Sequence, residues 1–291
     1  MRKEGIASTV QSTRGTTLSY VRWPAENPRA AVAIVHGYAD HAARYQHVAA
    51  HMNANGISAC ALDLRGHGES SGPRGYVWRF HDYLEDLDAF FNAIQLESMR
   101  VPCFVLGHSM GGLVVLNYAV HHKLECRGLI VSSPFLGVAI KVPPAKEFLG
   151  RIMSAIYPRL SLPSGINPND LSHDQSICDT YANDPLVFKT ANARWYTEAL
   201  RAIEQVKSGA STIKLPCLFL QAGDDRLADA SASEPLFNQL GSNDKKFVRY
   251  PDFFHEIFNE VEKEAPLAEM TQWILEHCAS KAKTQPATVK A

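Results

Sequence analysis

The chain has 291 residues, 46% hydrophobic and 20% charged, with 29 Lys and Arg set against 30 Asp and Glu. That balance describes an ordinary soluble globular protein, large enough for one α/β domain with an insertion or for two modest domains. With no block of like charge, the chain carries no electrostatic footprint for nucleic acid.

The start is basic and polar (Arg2-Lys3, then Ser8 to Thr13) and lacks the apolar core of a signal peptide. No run reaches transmembrane length, so the expected location is the cytoplasm. Six cysteines (Cys60, Cys103, Cys126, Cys178, Cys217, Cys278) are scattered without close spacing, which fits free thiols in a reducing compartment. His47 and His51 have helical spacing, but no acidic residue lies between them and no third ligand is evident. Neither a metal nor a cofactor is expected.

In chain order, Ser8 to Ser12 and Leu18 to Trp23 alternate as strands around Arg14-Gly15-Thr16 and predict a hairpin. Ala30 to Val35 is a continuous apolar run, the mark of a strand buried on both faces. It ends in His36-Gly37-Tyr38-Ala39. His41 to Asn55 is predicted helical and is stopped by Gly56, which suits a left-handed cap. Ile57 to Leu62 is another buried strand. Tyr83 to Met99 is an amphipathic helix with Leu84, Leu87, Phe90, Phe91 and Ile94 on one face.

The apolar run Pro102 to Leu106 then leads into Gly107-His108-Ser109-Met110-Gly111 and a helical stretch from Gly112. A turn that lifts a serine hydroxyl out of a sheet leaves no room for side chains on either flank, hence the two glycines. The helix behind it aims free N–H groups at negative charge forming beside the hydroxyl. Ser109 is therefore the candidate nucleophile.

After the strand Gly128 to Val131 the rhythm breaks. Residues 137–208 contain only predicted helical segments, punctuated by Pro143-Pro144, Pro158, Pro163, Pro168 and Pro185. Alternation resumes with a strand from Leu215 to Leu220, a helix from Ser233 to Leu240, a strand from Lys246 to Tyr250 and a closing helix from Val261 to His277. Strand–helix alternation interrupted once predicts a parallel sheet covered on both faces and carrying a helical insertion. Residues from 280 onward are small and polar and are expected to fray.

A serine hydroxyl needs a base, and the base needs an acid to fix its tautomer. Past the strand ending at Leu220, Gly223-Asp224-Asp225-Arg226 offers two adjacent carboxylates, of which only one should reach the base. Past the last strand, Phe254-His255-Glu256 supplies the histidine. The order serine, acid, histidine, each just beyond a strand, lets the three loops meet at one sheet edge. The oxyanion of an acyl-transfer intermediate needs two donors. The expected pair is the backbone N–H of Met110 and that of Tyr38, in the turn after the early strand.

Taken together, the chain resembles the α/β-hydrolase superfamily, and within it the monoacylglycerol lipase and lysophospholipase group. The residues that carry the resemblance are His36-Gly37-Tyr38 with Arg44-Tyr45, the stretch Asp63 to Ser70, the Gly-His-Ser-Met-Gly-Gly turn, Asn183-Asp184-Pro185-Leu186, Gln221 to Asp229, and His255-Glu256. The resemblance implies an α/β-hydrolase fold with a mostly parallel sheet of about eight strands and helices on both faces. It also implies a core formed by 1–136 and 209–280, a lid formed by 137–208 over an acyl tunnel, and a tail at 281–291. It selects Asp225 over Asp224 as the acid and makes Asp63 to Ser70 structural.

The apolar residues of the lid (Phe135, Leu136, Val138, Ile140, Phe148, Leu149, Ile152, Met153, Ile156, Tyr157) are too many for a solvent-only excursion. Some must pack on the domain, and the rest are candidates for the tunnel or for transient contact with a membrane surface, with Lys141, Lys146 and Arg151 near headgroups. The expected function is hydrolysis of single-chain lipid esters, a monoacylglycerol or a lysophospholipid, through an acyl-enzyme. The alternatives are a same-fold hydrolase of a lactone, a C–C bond or an aminoacyl amide, and a non-catalytic lipid-binding module.

Overall fold

The computed structural model describes residues 5–96, 100–139 and 144–279. The hairpin expected at the start is β1 (Ile6–Gln11) and β2 (Thr17–Trp23), followed by β3 (Ala30–Val35), α1 (Gln46–Ala54), β4 (Ile57–Leu62), α2 (His81–Ala93), β5 (Cys103–His108), α3 (Met110–His121) and β6 (Gly128–Ser132). Next come α4 (Pro144–Ile156), β7 (Ser161–Pro163), α5 (Gln175–Asn183), β8 (Thr190–Asn192) and α6 (Ala193–Gly209). The chain returns through β9 (Cys217–Ala222), α7 (Ser233–Gln239), β10 (Lys245–Tyr250) and α8 (Glu264–Ala279).

Eight strands form one sheet in the order β1-β2-β4-β3-β5-β6-β9-β10. The pairings among β1, β2 and β4 are antiparallel, and every pairing from β4 onward to β10 is parallel. Its central strands are buried on both faces, which is why they appear in the sequence as unbroken apolar runs. The period of two sorts their side chains: Val32, Ile34, Phe104 and Leu106 meet α1 and α8 on one face. Ala33, Val35 and Val105 meet α2, α3, α6 and α7 on the other. The cysteines are free, and Cys60, Cys103 and Cys217 are buried in β4, β5 and β9 as small apolar groups.

Local differences from the sequence expectation have simple causes. The helix expected over His41 to Asn55 is a 3-10 turn at Ala42–Tyr45 followed by α1, and Gly56 follows it at φ +71°. The segment between β6 and β9 is not wholly helical, because β7 and β8 pair as an antiparallel ribbon. Three-residue strands, one of them containing Pro163, are too short to show a period. α6 packs on α3, and its Ala199, Ala202, Ile203 and Val206 join the core on that face of the sheet.

Met99, Ile140, Lys141 and residues 281–291 lie outside the described residues, as do the side chains of Lys146, Phe148 and Leu149. Among the described residues, no helix is long and apolar enough to cross a membrane.

Phe104 lies at the centre of the sheet, fully buried, with its ring 5.7 Å from that of Trp273 in an edge-to-face contact. Phe104→Ala is expected to lower the unfolding free energy by about 3–5 kcal/mol, read as a fall in the urea midpoint at unchanged slope.

Candidate active site

Because β3, β5, β9 and β10 run parallel, the turns that follow them emerge at one edge of the sheet. Those turns carry Tyr38, Ser109, Asp225 and His255. Ser109 sits between β5 and α3 with φ 52° and ψ −118°, a conformation that costs a residue bearing a side chain about 1–3 kcal/mol. Three backbone hydrogen bonds hold it there. Its N–H donates to Ser132 O (2.9 Å), and its carbonyl accepts from Leu113 (3.1 Å) and Phe135 (2.9 Å). The flanking glycines are required sterically. A Cβ on Gly107 would lie 2.5 Å from Gly111 O, and one on Gly111 would lie 2.1 Å from Val35 O.

His255 Nδ1 is 2.7 Å from Asp225 Oδ2, with both side chains buried. The other oxygen, Oδ1, accepts from the amides of Leu227 (3.0 Å) and Ala228 (2.8 Å). Burial alone would raise the Asp225 pKa, but His255 and these two amides outweigh it and hold the carboxyl below its usual value. Burial would likewise lower the His255 pKa. Asp225, with Glu256 and Asp40 behind it, reverses the sign, and His255 titrates above the ordinary imidazole value of 6.5.

Asp224 points elsewhere: it is half exposed and pairs with Arg226 at 2.8 Å. Of the two adjacent carboxylates, Asp225 is the one beside His255.

His108 and His67, two further histidines near the site, are held neutral. His108, with its ring 4.9 Å from that of His255, is buried next to Ser132 Oγ, and burial together with the His255 charge pushes its pKa down to about 4. His67 is buried beside His36, Tyr38 and Phe188, and burial brings it to about 3. The Asp63 carboxylate ties the loop that carries His67, accepting from the amide of Glu69 within it and from that of Ala42 in the turn before α1.

Met110 is the first residue of α3, so its N–H belongs to the first turn, which has no intrahelical acceptor. Tyr38 lies in the turn after β3. Together with Ser109 and His255 these residues line one cavity of roughly 260 Å³. Its remaining wall is mainly apolar: Phe135 and Val138 precede α4, Ile166, Leu171 and Trp195 belong to the segment between β6 and β9, and Leu227 follows β9. Leu136, just before the lid, is buried, whereas the lid residues Ile152, Ile156 and Tyr157 are exposed.

One cluster at the site contains Arg44, Tyr45 and Glu256, which carry the resemblance in the sequence but receive no chemical role there. Arg44 donates to both oxygens of Glu256 (2.8 and 2.7 Å) and to Asp40 (2.8 Å), and the Tyr45 hydroxyl donates to Asp40 at 3.1 Å. All four residues are buried or nearly so, and the cluster joins the turn after β3 to the loop that holds His255. Burial would raise both carboxyl pKa values, but Arg44 outweighs it and keeps both ionised. The only local signals were the Asp–Arg spacing of four after a buried strand and a glutamate adjoining the histidine.

The model of the family described as "Serine aminopeptidase, S33" matches residues 26–262. Among curated proteins, the chain is 32% identical to Phospholipase YtpA of Bacillus subtilis, over 83% of this chain and 93% of that one. It is 31% identical to a monoacylglycerol lipase of Mycolicibacterium smegmatis, over 90% and 94%. Among solved structures it is similar to the monoacylglycerol lipase of Paleococcus ferrophilus, with a TM-score of 0.81, 29% identity, and coverage of 89% of this chain and 99% of that one.

By NMR titration, His255 is expected to take up its proton above pH 6.5. In Asp225→Asn the burial effect is left unopposed by its strongest partner, and the midpoint should move downward. An unchanged midpoint would show that the carboxylate does not govern the imidazole.

Proposed function

The chain belongs to the serine aminopeptidase S33 family and has the α/β-hydrolase fold, and on that premise we propose that it is a serine hydrolase of single-chain lipid esters. The observation that carries this reading is a strained, backbone-locked serine sharing an apolar cavity with a buried His–Asp pair. As Ser109 Oγ adds to the ester carbonyl carbon, His255 takes its proton and the carbonyl π pair moves onto oxygen, facing the amides of Tyr38 and Met110. Asp225 stabilises the imidazolium that forms. Collapse of the adduct expels the alcohol, which leaves with the proton from His255. Water then repeats the sequence on the acyl-enzyme.

The apolar wall supports an acyl chain as the bound group. Curated relatives named as a phospholipase and as monoacylglycerol lipases support a monoacylglycerol or a lysophospholipid. An aminopeptidase reading would need a carboxylate free to hold an α-ammonium group. Among the described residues, the two carboxylates of the cavity wall, Asp40 and Glu256, are instead both engaged by Arg44, which favours the ester.

Residues 137–208 act in this reading as a cap over the cavity. Ile156, Tyr157 and Leu162, exposed at 76%, 58% and 61%, are its edge toward a lipid surface. The proposed location is cytoplasmic, with transient membrane contact through that edge.

On a panel of monoacylglycerols, lysophospholipids, lactones and aminoacyl amides, kcat/KM is expected to be highest for the lipid esters. Ser109→Ala should reduce kcat about a million-fold and Asp225→Asn about ten-thousand-fold. Asp224→Asn should change it by no more than about twofold. A preference for the amides, or a Ser109→Ala variant with native turnover, would overturn the reading.

A further inference from the structure

The two turns that present Tyr38 and Met110 both lie past the end of the ladder that joins their strands, β3 and β5. The β3–β5 ladder ends at the pair Val35↔Gly107, and each of the two residues lies three positions past it. No hydrogen bond of the β3–β5 ladder therefore sets the separation of their amides, yet an oxyanion site works only if both donors are fixed before charge develops.

A side chain from the segment between β6 and β9 reaches both. The Trp195 Nε1–H donates to Met110 Sδ at 3.2 Å, with both residues buried. The same indole lies against the Tyr38 ring, with centroids 3.9 Å apart and planes 34° apart. Trp195 is itself anchored. Asn192 accepts from its backbone N–H (2.8 Å) and donates through Nδ2 to Gly75 O, while the Tyr38 hydroxyl lies 3.2 Å from Gly75 O and 3.1 Å from Thr190 O.

We infer that Trp195 is a positioning residue for the oxyanion site: one indole, held by the N-terminus of α6, braces the two residues whose amides receive the negative charge. A thioether accepting from a buried indole N–H orients the first turn of α3, and the phenol ring packed at a tilt against the indole orients the turn after β3. The inference rests on the serine-ester reading above. Its consequence is that the segment walling the cavity also sets the geometry of the catalytic amides, so that moving α6 disturbs the chemistry as well as access.

The test uses Trp195→Phe, which keeps a ring against Tyr38 but removes the N–H, and Met110→Leu, which keeps the volume and backbone amide but removes the sulfur. Both are assayed on short- and long-chain esters and for affinity toward an alkyl trifluoromethyl ketone. With that ketone, Ser109 Oγ adds to the carbonyl, His255 takes the proton, and the carbonyl oxygen becomes the anion facing the same amides. Each variant is expected to lose about tenfold in kcat at both chain lengths, with KM little changed. Ketone affinity should fall by the same factor, and the double variant should be no worse than either single.

A rise in KM confined to long chains would make Trp195 only part of the acyl wall and overturn the inference. So would a lowered melting temperature with native kcat and native ketone affinity, which is a merely structural role. Native behaviour of both variants in an active protein would overturn the brace alone. A wild-type protein inert toward every ester and unable to bind the ketone would overturn the underlying reading as well.

Discussion

The site depends on one steric constraint: the backbone at Ser109 must turn through a left-handed conformation while α3 presses against β5 and β3. Gly107 and Gly111 allow it because any Cβ there would strike backbone oxygen. Once the turn is made, other features follow from it. The hydroxyl is lifted off the sheet, the first amides of α3 face outward, and the backbone of Ser109 is captured by Ser132, Leu113 and Phe135 so that the strain cannot relax. Parallel strands on both sides then deliver the remaining groups to the same edge, since each strand's C-terminal turn emerges there.

Electrostatics at that edge is arranged in two buried units. In one, Asp225 faces His255 and is satisfied on its far side by two amides, so its charge is held where an imidazolium forms. In the other, Arg44 joins Asp40 to Glu256, the neighbour of His255, and links the turn of Tyr38 to the loop of the histidine. Breaking such a buried pair by removing one partner costs about 3–5 kcal/mol, because the remaining charge is left without compensation. The cluster therefore makes it difficult for the two turns to move apart independently. Its net negative charge also works with Asp225 to keep His255 a stronger base than burial alone would leave it.

Much of the fold was legible because the physics that writes it is local. Strands buried on both faces appear as apolar runs at 30–35 and 103–106, and the glycines around Ser109 mark a turn with no space for side chains. The positions of Asp225 and His255 beyond strands were also legible, although the residues alone left Asp224 and Asp225 open and only the family resemblance chose between them. What separates the two is a capping interaction: Asp225 Oδ1 binds the amides two and three residues on, which turns its other oxygen toward His255, a preference set by loop geometry. The remainder was hidden for reasons of range. Arg44 and Glu256 are 212 positions apart, and the β7–β8 ribbon is too short for periodicity. Trp195 falls within the insertion at 137–208, and no local signal says which face it would present.

Intact-mass analysis after reaction with a fluorophosphonate tests the central claim, an activated Ser109, most directly. The account predicts one adduct on the wild-type protein, none on Ser109→Ala, and a much slower reaction in His255→Ala, where the hydroxyl is present but its base is gone. A folded wild-type protein that forms no adduct, or an adduct that persists at full rate in Ser109→Ala, would contradict it.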